Sequence, residues 1–98
     1  MVLHVVLLRV KPGVEADAVE RLRVAILGLR IAIPGIVDVR WGRNESPEKL
    51  HQGYELGFVM TLESVMARDV YLPHPAHTAV HPLVEAVAAE VLVFDLEG

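Results

Sequence analysis

The chain has 98 residues, 53% of them hydrophobic and 22% charged, with a formal net charge of −4 and no cysteine. That length suits one domain spanning residues 1–98, and the acidic balance excludes the basic surface that neutralises nucleic-acid phosphates. Without cysteine there can be no disulfide, thiol nucleophile or thiolate-held metal cluster.

Val2 to Val10 is aliphatic on both alternating faces, interrupted only by His4 and Arg9, as expected of a strand buried on both sides. It lacks a basic leader region and a cleavage site and falls far short of the roughly 18–20 residues of a membrane span, so it reads as a strand of a soluble, cytoplasmic protein with no membrane partner. Lys11-Pro12-Gly13 ends it. From Glu15 the positions Val19, Leu22, Ile26, Leu29 and Ile33 repeat at helical spacing, with charged residues on the other face, which predicts an amphipathic helix stopped by Pro34-Gly35. Ile36 to Arg43 alternates, with Val37, Val39 and Trp41 expected on one face and Asp38 and Arg40 on the other. A polar loop from Asn44 to Gly53 leads to another alternating segment, Tyr54 to Leu62. Ser64 suits the cap of a short helix that Pro73 ends. A further helix is expected from Pro75 to about Ala89, kinked at Pro82, before a last strand from Glu90 to Leu96.

The order β-α-β-β-α-β predicts an α+β, ferredoxin-like protomer with a four-stranded antiparallel sheet. Helices cover one face of such a sheet, yet the first and last strands are apolar on both faces. The hydrophobic fraction, before seven glycines are counted, already exceeds the roughly 45–50% that ordinary domains reach with glycine included. Both features place the surplus in a homodimer joined through the uncovered sheet face, two sheets forming a dimeric α/β barrel.

Reactive groups concentrate in Tyr71-Leu72-Pro73-His74-Pro75-Ala76-His77. Imidazole exchanges a proton near neutral pH, and a tyrosine hydroxyl can donate to a carbonyl or enolate oxygen. His4 is the one polar side chain in the interior of its strand, so it needs a hydrogen-bond partner or a cavity; the sequence leaves open which sheet face it takes. His74, His77 and His81 have spacings that suit a metal, but no carboxylate completes the set and Pro75 and Pro82 disturb the register. No metal or other cofactor is expected.

The ordered segments resemble the stress-responsive dimeric α/β-barrel (Dabb) family over nearly the whole chain. They are the His4-Val5-Val6-Leu7 strand ending in Lys11-Pro12-Gly13, Ile33-Pro34-Gly35-Ile36, Gly42-Arg43-Asn44 with Ser46-Pro47 and Gly53-Tyr54, the Tyr71 to His77 segment, and Val91-Leu92-Val93-Phe94-Asp95. The resemblance implies a ferredoxin-like protomer and a barrel-forming homodimer. In the family's plant polyketide cyclases a histidine is the general base of an aldol cyclisation and a tyrosine assists. Matched motif to motif, the resemblance puts that base on His77, the tyrosine on Tyr71 and a supporting pocket histidine on His4. The chain departs from those cyclases on the third strand, where Leu56 replaces a further pocket histidine. Two readings follow: a cofactor-independent cyclase or lyase acting on a small β-keto or aromatic compound, or a noncatalytic small-molecule-binding or stress-response dimer.

Overall fold

In chain order the elements are β1 (Val2–Val10), α1 (Ala16–Ala32), β2 (Ile36–Arg43), β3 (Leu56–Leu62), α2 (Val65–Tyr71), α3 (Pro75–Thr78), α4 (His81–Val87) and β4 (Ala88–Glu97), in a computed structural model that describes residues 1–98. The strands form one antiparallel sheet in the order β2-β3-β1-β4, the ferredoxin-like arrangement. No helix is long and apolar enough to cross a membrane.

β1 decides which residues meet. Its even-numbered side chains Val2, His4, Val6 and Leu8 are buried beneath the helices, together with Leu56, Phe58, Met60 and Leu62 of β3. α1 supplies the other half of this core through Leu22, Ile26 and Leu29, with Ile33 just beyond its end. The odd-numbered Leu3, Val5 and Leu7 face the other way. Across the register they meet Thr61, Val59 and Gly57 on one side and Leu96, Phe94 and Leu92 on the other. No helix covers that second face, and Phe94 is 61% exposed.

Several boundaries differ from expectation for local reasons. The helix expected from Pro75 onward is two separate helices: Pro82 has no N–H for the Thr78 carbonyl and its ring crowds that carbonyl. The chain therefore closes α3 at Thr78 and restarts with Pro82 in the first turn of α4, where no intrahelical bond is lost. β4 begins at Ala88, not Glu90, because Val10 of β1 offers Ala88 a pairing partner past a register shift at Arg9 and Val10. β3 begins at Leu56, not Tyr54; the Tyr54 N–H bonds back to the His51 carbonyl at 3.0 Å, and the Arg9 guanidinium sits 4.8 Å above the Tyr54 ring. On β2 a register shift between Ile36 and Asp38 turns Val37 outward, so that Ile36 joins Val39 in the core.

Candidate functional site

Three prolines cut the segment after β3 into short helices, and this cutting aims its side chains. Ser64 starts α2 by accepting the Ala67 N–H at 3.1 Å. Tyr71, the last residue of that helix, is buried against the core. After Pro73, His74 caps α3 by accepting the Ala76 N–H on its Nδ1 at 3.0 Å. His77 follows within α3, and His81 opens α4. The rings of Tyr71 and His77 lie 4.3 Å apart between centroids, and His81 stands edge-on to His77 at 4.7 Å.

His4 reaches the same place from β1, its ring 5.5 Å from that of Tyr71. His4, Tyr71 and His77, the three residues singled out in the sequence, line one cavity of about 210 Å³ between the helices and the sheet. The remaining wall is almost wholly apolar, including Ile26, Phe58, Val80 and Val91. Leu56 lies outside it, so the position that departs from the cyclase pattern does not border this cavity. His74, occupied as a helix cap, does not join the cavity either.

Hydrogen bonds fix the proton positions. His77 Nδ1–H donates to the Leu72 carbonyl at 2.9 Å, so in the neutral ring Nε2 carries the free lone pair. His4 Nδ1–H donates to Asp95 Oδ1 at 2.6 Å, and Asp95 Oδ2 accepts from Arg68 at 3.3 Å. No protein group bonds the Tyr71 hydroxyl or the second nitrogens of His4 and His77. Burial holds the Tyr71 hydroxyl above the ordinary phenol range, and the Asp95 charge adds to this, so it remains a protonated donor. Burial pushes His77 below the ordinary imidazole value of 6.5; its bond to Leu72 opposes this, while His81 and His4 lower it further. The result is a neutral base beside a neutral donor.

Asp95 and Arg68 belong to this arrangement but do not stand out in the sequence, and His81, weighed there only for its metal-ligand spacing, belongs to it as well. A signal for Asp95 existed: it is the lone charge within the apolar part of the last strand, and the register sets it opposite His4, the lone polar residue inside the first.

The family profile described as Stress responsive A/B Barrel Domain matches residues 2–97. The chain belongs to that family. A stress-response A/B barrel domain-containing protein of Arabidopsis thaliana is 36% identical over 92 residues, which cover 94% of this chain and 84% of the relative. Olivetolic acid cyclase of Cannabis sativa is 28% identical, covering 94% of this chain and 91% of its own length. Among solved structures, a dimeric ferredoxin-like protein of unknown function from Jannaschia sp. superposes with a TM-score of 0.88 at 28% identity, over 99% of this chain and 98% of that one. As an A/B barrel domain the chain thus has a cyclase among its distant relatives and a fold found in a dimer.

Proposed function

We propose that the protein is a homodimer in which each protomer binds a small carbonyl compound in the cavity of His4, Tyr71 and His77 and turns it over in a cofactor-independent cyclase or lyase reaction. One observation carries the reading: the Tyr71 hydroxyl and the second ring nitrogens of His4 and His77, none of them bonded within the protein, converge on a cavity whose wall is apolar but for His81, the pattern of a small-molecule site. In this reading His77 Nε2 takes a proton from the carbon α to a carbonyl, and the electron pair of the C–H bond passes into an enolate. The Tyr71 hydroxyl donates to the enolate oxygen, and His4, steadied by Asp95, helps to orient it. Attack of the enolate carbon on a second carbonyl would close a ring. The 28% identity to a protein named a cyclase supports this class of chemistry. Dimerisation is supported by the apolar uncovered sheet face and by the dimeric relative.

A second reading, binding without turnover, is favoured by the bond from His77 to the Leu72 carbonyl, which also suits a purely structural histidine. Incubation with β-keto esters and linear polyketide mimics, followed by mass spectrometry, separates the two. The catalytic reading expects turnover that His77→Ala lowers by about 10²–10⁴-fold and Tyr71→Phe lowers less. Calorimetric binding of the same compounds with no turnover would leave the binding dimer.

A further inference from the structure

His81 has no part in the chemistry above, yet its ring lines the same cavity and stands against His77 with the ring planes at 87°. His4, His74 and His77 each tie one ring nitrogen to the protein, through Asp95, the Ala76 N–H and the Leu72 carbonyl. His81 has no such tie and is exposed.

A base that has taken a proton must lose it before the next turnover, and the surroundings of His77 offer few exits. Its Nδ1–H is held by a backbone carbonyl that cannot pass a proton on. Tyr71 keeps its own proton and has no basic site of comparable strength. His4 lies deeper, 3% exposed, with Nδ1 held on Asp95. The walls beside them are Val80, Val84 and other apolar side chains. An imidazolium stranded there is disfavoured by burial, and the neighbouring histidines add to the cost. His81 is the neighbour that touches His77, offers a second imidazole and reaches solvent.

We propose that His81 is the proton exit of the cavity, carrying to solvent the proton that His77 takes from the bound compound. The Nε2–H bond of His77 breaks, the proton adds to a ring nitrogen of neutral His81 directly or through one water, and His81 releases it to water or buffer. In the reverse direction the same path supplies the proton that the product requires. The role rests on His77 acting as a base, and it makes His81 a relay residue that acts through His77.

The test is hydrogen–deuterium exchange at the carbon between the two carbonyls of ethyl acetoacetate, followed by proton NMR in D₂O at neutral pH. Full-length wild type, His77→Ala and His81→Asn are compared over a range of imidazole concentrations, each corrected for exchange without protein. Wild-type exchange is expected to be independent of imidazole and to be lost in His77→Ala at low buffer. In His81→Asn it should fall by up to about 10²-fold at low imidazole and recover as imidazole rises, because the small base replaces the missing relay. A purely structural role for His81 would give a loss that imidazole does not restore. That outcome, or a His81→Asn rate equal to wild type at all concentrations, overturns the relay while leaving His77 as the base. Wild-type exchange no faster than the protein-free control overturns the catalytic reading and the relay together.

Discussion

His77 is neutral for a structural reason: it sits half-buried beside two other imidazoles. Its folded value lies below 6.5, so the neutral, base-competent ring persists into mildly acidic solution. The acid limb of any His77-dependent activity is therefore expected to have its midpoint below pH 6.5. The same shift acts on stability. As pH falls below 6.5, the unfolded chain takes up a proton that folded His77 still refuses, so this contribution is present above 6.5 and lost as pH falls through the folded value. NMR titration of the His77 ring, with urea unfolding of wild type and His77→Gln at several pH values, checks both. A midpoint at or above 6.5 would contradict the burial argument. Asp95 supports the other end of the cavity: Asp95→Ala strands the buried His4 Nδ1–H and is expected to cost about 1–3 kcal/mol in urea unfolding, with Asp95→Asn costing less because it keeps an acceptor. His4, Tyr71 and His77 were legible as polar groups in apolar or proline-fixed settings. Asp95 was not, because its partner is 91 residues away and the pair exists only once β1 and β4 are in register.

The same contrast between local and distant causes governs the elements. β1 and α1 follow their hydrophobic periods closely, and the Ser64 cap falls where a short polar side chain precedes a helical run. What the sequence did not disclose depends on pairing or on proline chemistry: a full break into two helices where only a kink at Pro82 was expected, the extension of β4 to Ala88, and the register shift that exposes Val37. Removing the α2 cap by Ser64→Ala is expected to lower stability by about 1 kcal/mol, read as a shift of the urea midpoint without a change in slope. Gly35 is more tightly constrained. Its φ of +92° is a left-handed conformation, and an added Cβ would come within 2.9 Å of the Ala67 Cβ. Gly35→Ala should therefore destabilise more than Ser64→Ala, since neither the backbone nor the packing against α2 accommodates it.

At the scale of the whole molecule, the two faces of the sheet have different fates. The helix-covered face holds the core and the cavity, and Val6 belongs to it at 6% exposure; a charge there damages the protomer itself and reports nothing about assembly. The uncovered face presents Leu3, Val5 and Leu7 between Val59 on one side and Leu92, Phe94 and Leu96 on the other, a continuous apolar surface of the kind that marks an interface. A second copy offers the same surface, so a two-fold arrangement buries both at once. Light scattering at low micromolar concentration is expected to give a mass near twice 10.8 kDa. Phe94 is the discriminating position, because in a lone protomer it is 61% exposed and a carboxylate there would be solvated and harmless. In a dimer joined through this face, Phe94→Asp buries an unpaired charge against the partner, a penalty of about 3–5 kcal/mol, and should yield monomers or unfolded chains. Wild-type protein that is folded and monomeric, or a Phe94→Asp variant that remains a dimer, would rule out this face as the interface.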